Sequence, residues 1–371
     1  MSFYLSVMFV ALTCIAFIML SRKTVSETNE IIGFVRLRPF LYDFHEEIPE
    51  IVEDDSLNVV IHALDEGDVI FNSSSNYYRY GPSIIKHEDG SMDAWFSAPG
   101  NNRTEWDWIT YRHSDDGENW SKEKVVLKPT ANSKDRCSVC DPGVIFFDGY
   151  YYLAYTSTAD ALRKGYNNSA FVCRSRNPQG PYEKWNGKGW GGKPEPFIAY
   201  EEDPRGWGIG EVSFVIRNNE LYIYYTYFNA TGGYTALKKA QLVDDWPLTM
   251  EDYGSVCGRT SQDSFDVVYD DDLHVFMAFA IENRMSLGSK VTVYTSEDGT
   301  DFVHADSTKK MVDDYAHNLG IAKSEEGHIS SNEQQLVGYA FGRRWGRWST
   351  RFQHIEISNP VRYKLNDNSA N

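Results

Sequence analysis

Five times between Tyr80 and Gly342 the chain repeats one hydrophobic pattern: a short apolar run, a polar turn, a run rich in Tyr, Phe or Trp, a loop, and a third run. The openings read Tyr80-Gly-Pro-Ser-Ile-Ile, Cys140-Asp-Pro-Gly-Val-Ile, Gly210-Glu-Val-Ser-Phe-Val, Phe265-Asp-Val-Val-Tyr and Ala316-His-Asn-Leu-Gly-Ile. Their starts lie about 50 to 70 residues apart, the length of a four-stranded sheet with its loops. The turns between first and second runs are Glu88-Asp-Gly-Ser, Asp148-Gly149, Asn218-Asn219 and Asp270-Asp-Asp. These residue types tolerate positive φ or cap their own turns. A Ser-x-Asp-Gly-x-x-aromatic turn follows the third run twice, at Ser114 and at Ser296. Outside the first 23 residues no stretch sustains a 3.6-residue apolar period, so the pattern predicts an all-β chain, a five-bladed β-propeller.

The domain boundaries follow from the repeat. Residues 1–23 read as a signal peptide or signal anchor, 24–75 as an N-terminal approach segment, and 76–371 as the propeller. Phe3 to Leu20 is uncharged and apolar, long enough to span a bilayer and placed where a signal peptide stands. Arg22 and Lys23 after it favour a cytoplasmic flank, a weak bias for a first segment. The expectation is a secreted or membrane-anchored propeller outside the cytosol, touching the membrane only through this segment. Sequons at Asn72, Asn102, Asn119, Asn167 and Asn229 fit a glycoprotein but support export only mildly.

Composition changes the picture in three places. A net charge of −17 argues against nucleic acid, which needs a basic footprint. The 24 Tyr and 10 Trp suit half-buried strands and also the apolar faces of sugars. Cys137-x-x-Cys140 has no second pair and no His cluster beside it, which makes zinc improbable. One disulfide or plain buried thiols are the readings left for Cys137, Cys140, Cys173 and Cys257.

In a propeller the first strand of every blade lines the axis, so polar strand starts converge on one cavity. Here they are Tyr80-Gly81, Asp141, Glu211, Asp266 and His317. Two carboxylates from adjacent repeats, Asp141 and Glu211, are the equipment for glycosidic cleavage: one protonates the leaving oxygen, the other serves as base, nucleophile or electrostatic partner. The bland alternative, strand-start acids that cap backbone N–H groups, fits an isolated Asp better than a matched pair.

Over residues 77 to 358 these openings resemble the five-bladed propeller glycoside hydrolases that include arabinanases, β-xylosidases and α-L-arabinofuranosidases. The resemblance implies Glu211 as general acid, with Asp141 tuning its pKa. It also implies His317 near the axis, often beside a calcium ion or a water. The family's general base, an Asp preceding Pro82, is Gly81 in this chain. Asp107 is the loop carboxylate expected to stand in for it. Trp106, Trp108, Trp207, Asp266, His317 and Arg343 are the expected substrate-binding residues, and no metal ligand set is expected among them. The implied substrate is an oligo- or polysaccharide, with an arabinofuranosyl or xylosyl unit as the default. Two alternatives stay open: a catalytically inactive glycan-binding propeller, and a related propeller glycosidase or phosphorylase.

Overall fold

The computed structural model describes residues 59–358 apart from 74–76, 102, 163–164, 204, 259–263 and 308–309. The apolar segment 1–23, most of the approach segment and the Asn102 sequon lie outside the described residues. Among the described residues no helix is long and apolar enough to cross a membrane.

The first blade is β3 (Tyr80–Lys86), β4 (Met92–Pro99), β5 (Asp107–Ser114) and β6 (Lys124–Leu127). The second is β7 (Cys140–Phe147), β8 (Tyr150–Ser157), β9 (Ser169–Ser175) and the short β10 (Glu183–Lys184). The third is β11 (Gly208–Arg217), β12 (Glu220–Phe228), β13 (Gly233–Gln241) and β14 (Glu251–Gly258). The fourth is β15 (Asp266–Asp270), β16 (Val275–Glu282), β17 (Lys290–Ser296) and β18 (Val303–Ser307), with β20 (His328–Ile329) parallel to β15. The fifth is β19 (Ala316–Lys323), β21 (Gln335–Arg344) and β22 (Arg347–Ser358). Its outermost strand is β1 (Val60–Ala63), and β2 (Asp68–Phe71) also pairs β22. The inner strands β3, β7, β11, β15 and β19 neighbour one another in that order, and β19 returns to β3. The ring is a five-bladed propeller, and two of the strands closing it come from the stretch expected to be an approach segment.

Every blade is covered on both faces by its neighbours, so its middle strands run apolar without alternation. Ala94, Trp95 and Phe96, like Tyr152, Leu153 and Ala154, are almost wholly buried. Hairpin turns take the conformations their residues allow: Asp148 and Gly149 have φ of 50° and 74°, Asn218 and Asn219 of 54° and 63°, the pair of positive values a two-residue turn of type I′ needs. Both Ser-x-Asp-Gly turns share one hydrogen-bond pattern. Ser114 Oγ accepts from the Gly117 N–H at 2.9 Å and Ser296 Oγ from the Gly299 N–H at 3.0 Å. All four described cysteines are buried free thiols, the second of the two readings.

Blades are locked at one residue near the start of each inner strand: Ser83, Gly143, Ser213, Asp266 and Gly320. Ser83 Oγ accepts from Val144 N at 3.1 Å, Ser213 Oγ from Val267 N at 2.9 Å, and Asp266 Oδ2 from Ile321 N at 2.9 Å. In the other two blades that residue is glycine, and the next strand's backbone takes the vacated space. A Cβ on Gly143 would stand 1.9 Å from the Val212 carbonyl oxygen, and one on Gly320 1.9 Å from that of Pro82. Lys323 adds a buried ammonium to this ring, 2.6 Å from Asp266 Oδ1 and 3.1 Å from Ser213 Oγ.

Candidate active site

In four of the five inner strands the register slips within the first residues of the strand, between Tyr80 and Ser83, Cys140 and Gly143, Gly210 and Ser213, and His317 and Gly320. Each slip is a β-bulge, which re-aims one side chain. The re-aimed residues are Gly81, Asp141, Glu211 and Asn318, with φ of 58°, 49°, 51° and 48°. Positive φ costs a non-glycine residue roughly 1–2 kcal/mol, and such strain concentrates at functional sites. The ring holds Asp141 and Glu211 there by capturing the N–H each bulge frees. Asp141 N donates to Ser97 Oγ at 2.8 Å, and Glu211 N to Thr156 Oγ1 at 2.9 Å, each acceptor belonging to the preceding blade.

These residues line one narrow cavity of about 40 Å³, enclosed by Gly81–Ser83, Asp141–Gly143, Glu211–Ser213, Ser264–Asp266, Asn318 and Leu319. That is room for a few waters. Aligning the lining triplets shows that Ser264, not Asp266, is the fourth blade's counterpart of Asp141 and Glu211. Asp266 sits two residues deeper, with its oxygens committed to Ser213, Lys323 and Ile321.

Electrostatics set the pair apart. Burial, then the neighbouring Glu211 carboxylate, pushes Asp141 far above the ordinary carboxylate range, against hydrogen bonds that pull it down. One of these comes from the Cys140 thiol, 3.3 Å from Asp141 Oδ2. Two interacting carboxylates lose their protons as a pair, and such a pair holds one proton over a wide pH span. On the far side Asn318 Nδ2 donates to Glu211 Oε1 at 3.3 Å and lies 3.4 Å from Ser264 Oγ.

His317 is not the cavity residue of the fifth blade. The bulge gives that position to Asn318 and turns the imidazole inward, fully buried against Trp348 at 4.6 Å and near Tyr80 at 6.2 Å between ring centres. Its Nδ1 bonds Asn318 Oδ1 at 2.7 Å, so it acts on the cavity through Asn318. Among the described residues no group of three or more His, Cys, Asp or Glu could hold a metal ion. Asp266 pairs with the Lys323 ammonium at 2.6 Å, a fixed positive charge beside the cavity.

Asp107 lies close enough to contribute to the rise of Asp141, yet it is not among the cavity's lining residues. Its Oδ1 accepts from the Tyr78 hydroxyl and its Oδ2 from Ser138 Oγ at 2.7 Å. Trp106 hydrogen-bonds through its backbone N–H to Cys137 O at 2.7 Å. Trp108 donates to Glu105 at 2.7 Å and carries the Lys128 ammonium 4.1 Å above its ring. Trp207 is half-buried, its carbonyl taken by the Asn168 amide at 2.8 Å. Arg343 is exposed on the β21–β22 hairpin. None of the three tryptophans nor Arg343 lines the cavity. Asn318, Ser264, Ser97 and Thr156 escaped sequence reasoning; stacking the five openings on the Ser, Gly or Asp that locks the blades, and reading two residues back, would have found the first two.

No protein-family model and no curated protein matches the chain. Solved structures do. A family 117 glycoside hydrolase from the marine bacterium Zobellia galactanivorans superposes with a TM-score of 0.58 at 16% identity, over 82% of this chain and 92% of that one. An α-L-arabinofuranosidase from Podospora anserina, solved with cellotriose, gives 0.52 at 11% identity, over 83% of this chain and 99% of that one. An endo-arabinase from Bacteroides thetaiotaomicron gives 0.50 at 14%, over 76% and 96%. At these identities the likeness is one of fold.

Proposed function

We propose that this chain is a glycoside hydrolase, with Glu211 as the proton donor and Asp141 as its partner carboxylate. The observation that carries the reading is the matched pair itself: two acids at the same bulge of adjacent blades, both in a costly backbone conformation, both in one cavity. Acids placed only to cap strands would not need that strain. The split of roles follows the resemblance described above. The arabinofuranosyl or xylosyl default is supported by solved neighbours described as an α-L-arabinofuranosidase and a xylan β-1,4-xylosidase.

The chemistry runs on the shared proton. Glu211 passes it to the glycosidic oxygen as the bond from that oxygen to the anomeric carbon breaks, and water adds to the carbon. The water's proton returns to the Asp141–Glu211 pair, which restores the shared proton. Space for that water adjoins Gly81, where even a Cβ would clear Asp141 Oδ1 by 3.7 Å. Asp107, with both oxygens engaged, serves better as a fixed charge that favours the shared proton than as the base. The same Gly81 favours a second reading, a propeller that binds glycans without cleaving them. A panel of aryl glycosides and polysaccharides with wild type, Glu211→Gln and Asp141→Asn separates the two. Hydrolysis lost in both variants supports the enzyme, whereas wild-type binding without turnover supports the lectin-like reading.

A further inference from the structure

The hairpin that caps the fifth blade beside the cavity is unusual in this chain. From Gln334 to Ile355 there is no Asp or Glu, although acids outnumber Lys and Arg by 53 to 36 overall. The same stretch holds Arg343, Arg344, Arg347 and Arg351. Arg351 is spent on Asp313 at 2.8 Å and on the backbone of the β1–β2 turn. Arg343, Arg344 and Arg347 are exposed and make no ion pair among the described residues. Arg344 and Arg347 are direct cross-strand partners, two like charges face to face, an arrangement that destabilises a hairpin. Between them Trp345 is 73% exposed.

Register runs this hairpin outward from the end of the fifth blade that borders the cavity. Ala316 pairs with Phe341 and His317 with Ala340, so the hairpin tip extends from the strand end next to Asn318. Aromatic contacts join the two: Trp345 packs edge-on to Trp348 at 4.8 Å, and Trp348 to Tyr80 at 5.3 Å, the residue before Gly81. Along this hairpin the exposed Trp345 stands between Arg344 and Arg347, with Arg343 next to them in sequence.

We infer that this hairpin is a subsite for an anionic sugar residue, one bearing a carboxylate or a sulfate, so that the substrate is an acidic glycan. Trp345 supplies a stacking face for the ring, and the guanidinium forks supply paired N–H donors for a flat or tetrahedral anion. A bound anion also relieves the Arg344–Arg347 repulsion, which a neutral sugar does not. That this glycan continues into the cavity rests on the hydrolase reading; the anion subsite does not.

The test is binding without turnover. Quenching of Trp fluorescence is titrated with three probes: an oligogalacturonide, a sulfated galactan oligosaccharide and a neutral arabino-oligosaccharide. The expected result is at least one acidic probe bound on the order of tenfold or more tighter than the neutral one at low salt, the preference shrinking at high salt. Comparing the two acidic probes separates carboxylate from sulfate. In Arg344→Gln/Arg347→Gln the preference should collapse by about tenfold, while thermal stability stays level or rises because the facing charges are gone. Equal affinity for acidic and neutral probes overturns the inference, as does an acidic preference that survives the double variant. Acidic sugar bound with no glycoside cleaved would keep the subsite and remove the hydrolase reading; neutral glycosides cleaved without acidic preference would do the reverse.

Discussion

Gly81→Asp places a carboxylate at the one bulge where the resembling hydrolases have it and this chain does not. The backbone there has φ of 58°, close to the 49° at which Asp141 already carries the same side chain. An added Cβ meets Asp141 Cα, Asp141 Oδ1 and Ser97 Oγ, all at 3.7 Å, ordinary contact distances. The conformational cost is therefore the left-handed one, roughly 1–2 kcal/mol. Charge adds a second cost that depends on pH: at about 5 Å and an effective dielectric of about 20, two carboxylates repel by about 3 kcal/mol. Urea unfolding should thus find Gly81→Asp about 1–2 kcal/mol less stable than wild type near pH 4.5, matching Gly81→Ala. Near pH 8 the Asp variant should lose a further 2–3 kcal/mol or so and the Ala variant nothing more. If the cavity hydrolyses glycosides without a dedicated base, the variant should also gain rate, by up to the 10²-fold or so that a positioned base supplies. A loss equal to that of Gly81→Ala at both pH values would refute the placement of Gly81 beside the pair. A loss above roughly 4 kcal/mol at pH 4.5 would refute the claim that the space is open.

Gly320→Ala, whose Cβ would overlap the Pro82 carbonyl oxygen at 1.9 Å, should cost about twice as much as Gly81→Ala, about 3 kcal/mol or more by urea midpoint; comparable losses would contradict the blade packing described. Because Asp141 titrates above the ordinary range when folded, it binds its proton more tightly than the unfolded chain does. Its contribution therefore erodes stability as pH rises from about 4 toward the folded-state value. Asp141→Asn should flatten that part of the stability–pH curve, and an unchanged slope counts against the shared proton. Asp107→Asn should keep measurable activity on aryl glycosides and shift the basic limb of the pH–rate profile to lower pH; complete loss rescued by azide or formate would make Asp107 the base after all.

The fold was legible because a propeller writes its repeat into the chain: five apolar openings, turn residues at hairpin spacing, and two Ser-x-Asp-Gly turns that prove to have the same hydrogen bonds. Asp141 and Glu211 were legible for the same reason, being acids where an apolar strand should start. Bulges were not, since a one-residue slip leaves no mark in composition. A bulge put Asn318 in place of His317 at the cavity surface, and in the fourth blade Ser264, just ahead of the strand, took the position expected of Asp266. Nor does a sequence disclose that Asp107 is held by Tyr78 and Ser138, residues 29 and 31 positions away. The strands β1 and β2 were missed because edge strands of four residues carry too little pattern to stand out.

The most direct test of the Asp141–Glu211 pair is the rate of Glu211→Gln on two aryl glycosides of one sugar, one with a good and one with a poor leaving group. Proton donation by Glu211 predicts a loss on the order of 10² to 10⁴ on the poor leaving group and little on the good one. Equal losses on both would contradict it and assign Glu211 to binding or structure.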